Sequence, residues 1–173
     1  MQMTEDKKME KHKELLNEFE HEFEKIKKEL NFKATLQELD EIFFLKDFVL
    51  QTGFLSPRLS RMMCSRIKDT LSIWGQQLQA WLTPNPYSII SIGESQAFTD
   101  SEKEEMNKIM RKILSLTSDN MLVGLTKNKE NEAKFIDDSL AFWKENLPHL
   151  IRYTEKMNHY WKTPEPKQRR EQN

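Results

Sequence analysis

Hydrophobic residues recur at helical spacing along almost the whole chain, and short polar or proline-containing breaks interrupt the pattern. Over residues 5–30 the apolar side chains follow one another at intervals of three, four and seven, with Glu and Lys at most other positions. This heptad-like pattern predicts an amphipathic helix within an N-terminal segment, residues 1–31. Its clearest seam is formed by Leu16, Phe19, Phe23, Ile26 and Leu30. The helix is expected either to pack on the rest of the chain or to project as a coiled-coil arm.

Two further helices are predicted in the middle of the chain. Thr35 and Glu38 have the spacing of a capping box, and Gly53 suits a left-handed residue just beyond a helix that ends near residue 51. Ser56 and Pro57 predict the start of the next helix, since serine caps well and proline fits the first helical position. That helix must end before the two prolines at 84 and 86.

Residues 83–98 are predicted to be the one long irregular connection, with room for a short strand at 87–92. The helix that follows should place Ile113 and Leu114 on its inner face and should break or kink at residues 118–120, where the apolar pattern is interrupted.

A last long helix is predicted over residues 130–161, kinked near Pro148 because proline removes one backbone hydrogen bond. The elements together predict an all-α fold, an antiparallel bundle of four to five long helices. Residues 35–162 are assigned to the bundle domain, and the polar segment 163–173 is expected to be disordered. With 4 Gly and 6 Pro among 173 residues, the chain has few of the residues that β-sandwich turns and phosphate-binding loops require.

Bulk composition narrows the classes of function. Lys and Arg number 27 and Asp and Glu 28, so the chain lacks the basic excess of a general nucleic-acid binder. One cysteine, Cys64, excludes an internal disulfide framework and a cysteine-based zinc finger. No secretory signal is recognisable and the longest apolar run has four residues, at 42–45, so neither a membrane span nor export is expected. The cytoplasm is the expected location.

Helical spacings raise one metal hypothesis. Glu18 and His21 lie three residues apart, as in the Glu-x-x-His pairs of di-metal bundles, and Glu145 and His149 lie four apart. A divalent metal is therefore the single cofactor that the sequence suggests, although the second Glu-x-x-His pair of the di-iron pattern is missing.

A nucleic-acid hypothesis rests on three arginines. Arg58, Arg61 and Arg66 lie in the first turns of the predicted third helix, which follows a short turn as in a helix-turn-helix. The hypothesis is the weaker one, because the apolar stripe of this helix runs on to its end, which is typical of a core element.

No catalytic motif stands out, so an enzyme is less expected than a binding protein. The sequence favours a non-enzymatic interaction or scaffold protein that binds a protein partner, or a second copy of itself, through the N-terminal seam or an apolar groove. A metal-dependent bundle enzyme is the first alternative, and a helix-turn-helix DNA-binding protein the second.

Overall fold

The computed structural model describes residues 5–163, with side chains from residue 7 onward. Within that range the regular elements are seven helices, which confirms the predicted all-α bundle. The four long helices are α1 (Glu5–Leu30), α4 (Leu59–Leu82), α6 (Asp100–Thr126) and α7 (Lys129–Lys162), and the three short ones are α2 (Leu36–Phe43), α3 (Leu45–Thr52) and α5 (Ile89–Gln96). Residues 164–173 of the predicted tail lie outside the described residues.

The body of the bundle consists of α4, α6 and α7, each packed against the other two. Helices α4 and α6 run antiparallel, since Gly75 lies beside Ile113 while the earlier Arg61 reaches the later Asn120. A Cβ atom on Gly75 would lie 3.1 Å from Ile113 Cγ2, so the missing side chain lets the two helices approach closely. The two helices therefore pack closely at this level of the bundle.

A second layer, α1 to α3, packs on α4 and α7. The rings of Phe23 in α1 and Phe32 in the following segment meet edge to face, 5.6 Å apart. The Asp137 carboxylate of α7 then accepts the backbone N–H groups of Lys33 and Ala34, at 2.9 to 3.0 Å. The second half of α1 is therefore part of the bundle, whereas residues 7–14 are exposed except for a half-buried His12.

The predicted single helix ending near residue 51 is two helices, α2 and α3, which meet at Phe44. Phe44 adopts a left-handed conformation with φ of 53°. The Asp40 carboxylate stabilises the break, because it accepts the N–H of Lys46, at the start of α3, at 2.7 Å. The capping box at Thr35 and the left-handed Gly53, with φ of 69°, are as predicted.

Two other segments differ from prediction. Helix α4 starts at Leu59, two residues late, because Ser56 Oγ accepts the N–H of Arg58 in a turn. The connection 83–98 has no strand within the described chain and instead contains α5, whose N-cap hydroxyl, Ser88 Oγ, accepts the N–H of Ser91.

The break predicted at residues 118–120 is absent, and α6 runs through it. The polar Asn120 that suggested the break is buried, and its Oδ1 accepts a hydrogen bond from Arg61 at 2.6 Å. Helix α7 contains Pro148 and continues past it to Lys162. None of the helices described has a stretch apolar and long enough to cross a lipid bilayer.

Candidate functional site

The predicted interaction seam of α1 is used inside the chain. Phe19 and Phe23 are fully buried, and Ile26 and Leu30 pack half-buried against the same core. Leu16 is half-buried as well. A partner could reach these side chains only by displacing α1 from α3, α4 and α7, so a binding surface has to be sought elsewhere.

The residues predicted as metal ligands are not brought together. Among residues 7–163, no group of three or more His, Cys, Asp or Glu side chains could hold a metal ion. Glu18 and His21 point to solvent from α1, and Glu145 is exposed on α7. His149 Nδ1 instead lies 3.0 Å from the Glu105 carboxylate of α6. The structure therefore does not bring these four side chains together into one group.

Two of the three arginines predicted to contact nucleic acid have structural partners. Arg61 donates to Asn120 of α6, and Arg66 Nε donates to the carbonyl of Phe43 at 2.9 Å. Arg58 remains exposed. The three therefore do not present a common free cationic face.

The densest polar cluster, which the sequence did not reveal, joins α6 to α7 around Glu105. Its carboxylate accepts hydrogen bonds from Arg152 and Tyr153 and lies beside His149. Burial disfavours ionisation of Glu105, but the Tyr153 hydroxyl and the cationic neighbours outweigh it, so the pKa of Glu105 is lowered. Burial and the facing carboxylate raise the pKa of Tyr153. The carboxylate is held ionised and occupied by fixed partners, which is typical of a structural tie rather than of a general base.

The one thiol is equally unsuited to chemistry. Cys64 is buried in α4, where its Sγ–H points to the carbonyl of Glu132 at 3.8 Å. Burial, followed by the nearby Glu132 charge, raises the pKa of the thiol to about 12. Only the thiolate is a good nucleophile, so this cysteine behaves as a small core residue.

An open apolar groove lies between the second half of α4 and the second half of α7. We call it the α4–α7 groove. It has a volume of about 510 Å³ and is lined by uncharged residues: Ile73, Trp74, Gln77, Trp81, Thr154, Met157 and Asn158. Ile73 is 64% exposed on its rim, whereas Trp81 and Met157 are largely buried in its floor.

The groove continues a surface that α2 covers elsewhere. Arg66 of α4 bonds to the Phe43 carbonyl, and the Trp143 ring of α7 packs on the Phe43 ring with centroids 6.0 Å apart. Ile73 lies seven residues after Arg66, and Thr154 eleven after Trp143, so both follow on the same helix faces. The second layer therefore covers the first half of the α4–α7 surface through α2 and leaves the second half open.

Further apolar side chains extend the groove at the end of the bundle where α5 lies. Trp161 is half-exposed on α7, three residues beyond Asn158, and its indole N–H donates to Glu94 of α5 at 3.1 Å. Ile90 lies one helical turn before Glu94 and is mostly exposed. Tyr87, in the turn before α5, is 96% exposed. Exposed Trp and Tyr side chains are enriched at protein interfaces.

A sequence signal for this site exists, although helical periodicity does not show it. Residues 70–93 contain no charged side chain, in a chain that is 32% charged. The stretch supplies the α4 side of the groove, the turn and the first half of α5. Charge depletion of this kind marks the centre of an interface more reliably than hydrophobicity does.

Comparison with known proteins gives no family: no family model, no curated protein and no solved structure matches the chain.

Proposed function

We propose that the chain is a non-enzymatic protein-binding module, and that its α4–α7 groove binds an amphipathic helix of a partner protein. The observation that carries the proposal is that α2 covers only the first half of the α4–α7 surface. Where α2 is present, it supplies Phe43 to the Trp143 ring; where it is absent, Ile73 is exposed to solvent on the rim of the groove. A partner helix would fill the vacant half by the same packing.

The dimensions and chemistry of the groove describe its occupant. On α7 the exposed face runs from Leu147 to Trp161, and a rise of about 1.5 Å per residue makes it roughly 21 Å long. That length suits a helix of about four turns. The α4 rim is uncharged, so the facing side of the partner helix should be apolar, with contacts at intervals of three, four and seven residues.

Neither the exposed start of α1 nor the sequence after α7 offers an apolar stripe for the groove. The exposed first turns of α1 are dominated by charged residues, with Met9 as the one large apolar side chain among residues 7–14. The sequence of residues 163–173 has no large apolar side chain at all. A helix supplied in trans is therefore the better occupant.

Selection from a phage-displayed library of 18-residue amphipathic helices tests the proposal. The full chain is the bait, and binders are compared on two variants. Ile73→Glu with Gln77→Glu places charges in the groove, whereas Gln76→Glu with Gln79→Glu places the same number on exposed positions of the same helix outside it. We expect binders with an apolar stripe that lose at least about tenfold in affinity on the first variant and keep it on the second.

Three outcomes would contradict the proposal. One is a selection without enrichment, and another is a set of binders that the two variants affect equally. The third is a wild-type dimer, detected by light scattering, that Ile73→Glu with Gln77→Glu dissociates, because the groove would then belong to a second copy of the chain.

A further inference from the structure

A cavity lies where the first turn of α4 meets the last turns of α6, beside the second half of α1 and the start of α7. Its volume is about 440 Å³, which is within the usual range for sites that bind small molecules. It shares no lining residue with the α4–α7 groove. Both apolar and charged side chains form its wall.

The charged side chains of this wall have both signs, but the cations are in excess. The wall contains five cations and three carboxylates, whereas the formal net charge of the whole chain is −1. Two of the cations pair with carboxylates of the same wall, because Lys25 lies 3.2 Å from Glu22 and Lys129 pairs with Glu29. Three cations and one carboxylate, Glu132, therefore remain.

The three remaining cations are Arg58, Arg61 and Lys127, and none of them forms an ion pair with any residue from 7 to 163. Glu132 is buried, and its carboxylate accepts a hydrogen bond from the Ser60 hydroxyl at 2.6 Å rather than from any of the three. The wall therefore keeps an excess of two positive charges without an ionic partner in this part of the structure.

Arg61 is held in the wall of the cavity by α6. Its guanidinium donates to the side chain of Asn120 at 2.6 Å and to the backbone carbonyl of the same residue at 3.3 Å. A Cβ atom on Gly124 would lie 2.9 Å from Arg61 Nη2, so the missing side chain makes room for the guanidinium. These bonds to neutral acceptors use only part of the donor fork of an arginine. The guanidinium is therefore held in place and keeps donors for a ligand.

Backbone donors of α4 add to these cations. Arg58 is the N-cap residue of α4, and its side chain makes no capping hydrogen bond. The N–H groups of residues 59–61, which also line the cavity, have no acceptor within the described chain. The N-terminal end of a long helix favours an anion for the same reason that the three cations do.

Apolar side chains form another part of the wall. Ile26 and Leu30 of α1 are half-buried there, and Leu59 of α4 and Val123 of α6 line the cavity as well. An inorganic anion would leave this apolar surface uncovered. An organic molecule would cover it with its body while its charged group contacts the cations.

We propose that this cavity binds a small phosphate monoester whose organic body is apolar. A phosphate monoester carries about −1.5 to −2 charges at pH 7 and three strong acceptor oxygens. Its charge matches the excess of two positive charges in the wall, and its oxygens suit donors that come from separate residues. A carboxylate would balance only one of these charges. The site would give the chain a small-molecule ligand in addition to whatever the α4–α7 groove binds, and it does not depend on the groove.

Isothermal titration calorimetry of the full chain with four probes tests the proposal. The probes are 1-naphthyl phosphate, the uncharged 1-naphthol, the singly charged 1-naphthoate, and inorganic phosphate without an organic body. We expect 1-naphthyl phosphate to bind at least about tenfold more tightly than each of the other three, and increasing salt to reduce this advantage.

Two matched variants locate the site. Arg58→Gln with Lys127→Gln removes two exposed cations of the wall, so the advantage of 1-naphthyl phosphate should be lost. Arg111→Gln with Lys112→Gln removes the same number of exposed cations from α6 outside the cavity, so the advantage should remain.

Gly124→Ala tests the positioning of Arg61. The added methyl group would displace the guanidinium, so the affinity for 1-naphthyl phosphate should fall by at least about threefold. The melting temperature should stay close to that of the wild type, because the higher helix propensity of alanine offsets the lost bond to the Asn120 carbonyl. Ile73→Glu with Gln77→Glu should leave the affinity unchanged, which separates this site from the groove.

Other results would overturn the inference. Equal affinity for 1-naphthyl phosphate and 1-naphthol, or no binding of either, would remove the role of the cations. An advantage that Arg58→Gln with Lys127→Gln retains, or that both charge variants lose equally, would place the phosphate outside the cavity. A mixed-sequence oligonucleotide that binds more tightly than 1-naphthyl phosphate, and that the cavity variant no longer binds, would assign the cations to a nucleic acid.

Discussion

Replacing Phe23 by alanine tests whether α1 belongs to the core or serves as an interaction arm. The Phe23 ring has no exposed surface and makes edge contacts with Phe19 and Phe32, at centroid distances of 6.4 and 5.6 Å. Truncation of a fully buried phenylalanine removes its transfer free energy and leaves a cavity, which together cost about 3–5 kcal/mol. At about 3 °C per kcal/mol for a chain of this size, a loss of about 4 kcal/mol lowers the melting temperature by about 12 °C.

Urea unfolding followed by circular dichroism measures the loss, and Met9→Ala on the same helix is the control. Met9 is 68% exposed, so its truncation should change the free energy of unfolding by less than about 0.5 kcal/mol. The reasoning fails if Phe23→Ala is as stable as Met9→Ala. It also fails if Phe23→Ala turns a wild-type dimer into a stable monomer, because the seam would then lie between two chains.

Three other predictions concern single side chains. Asp137→Ala should lower the free energy of unfolding in urea by about 2 kcal/mol, because two backbone N–H groups before α2 lose their acceptor. The control Asp138→Ala removes an exposed ion pair and should lower it by less than about 0.5 kcal/mol. Equal losses in the two variants would contradict this prediction. The pKa of Glu38 is lowered from 4.5 to about 2, first by the hydrogen bond from the Lys144 ammonium and next by that from the Thr35 hydroxyl. The stability that Glu38 confers is therefore complete above pH 4.5 and is lost as the pH falls towards 2. The melting temperature of the wild type should fall more steeply over that window than that of Glu38→Gln, and parallel curves would refute the pairing. Burial raises the pKa of the Cys64 thiol to about 12, so iodoacetamide at pH 8 should modify the native chain far more slowly than the urea-unfolded chain. Mass spectrometry would measure the two rates. Similar rates would place Cys64 at the surface.

The features of the fold that could be predicted are those that local chemistry determines. The Thr35 capping box and the glycine at position 53 act within a few residues, so the sequence alone locates them. Phe44 shows the limit of this reasoning. Its left-handed conformation goes with a hydrogen bond from the N–H of Lys46 to the Asp40 carboxylate, and no propensity of phenylalanine indicates it.

The candidate surfaces depend on tertiary packing, which periodicity does not contain. Ile113 and Leu114 both fit the predicted inner face of their helix, yet Ile113 is buried against Gly75 while Leu114 is more than half exposed. The α1 seam shows the converse, because a pattern typical of a coiled coil is satisfied inside the chain. The extent of α1 to α3 over α4 and α7 determines which apolar side chains of those two helices remain exposed to solvent. The uncharged stretch at residues 70–93 is the one sequence feature that points to the groove directly.

The exposed apolar side chains can be separated experimentally from the folded core. Ile73 and Leu122 are more than half exposed, so polar substitutions there remove little buried area and should leave the free energy of unfolding within about 0.5 kcal/mol of wild type. The same side chains lower solubility while they remain uncovered. An apolar surface that contributes little to folding and favours aggregation is explained most simply by binding to another molecule. Here the exposed apolar side chains are concentrated in one groove and on one face of α6. Loss of binding in these variants, with unchanged unfolding, would therefore report on recognition and not on misfolding.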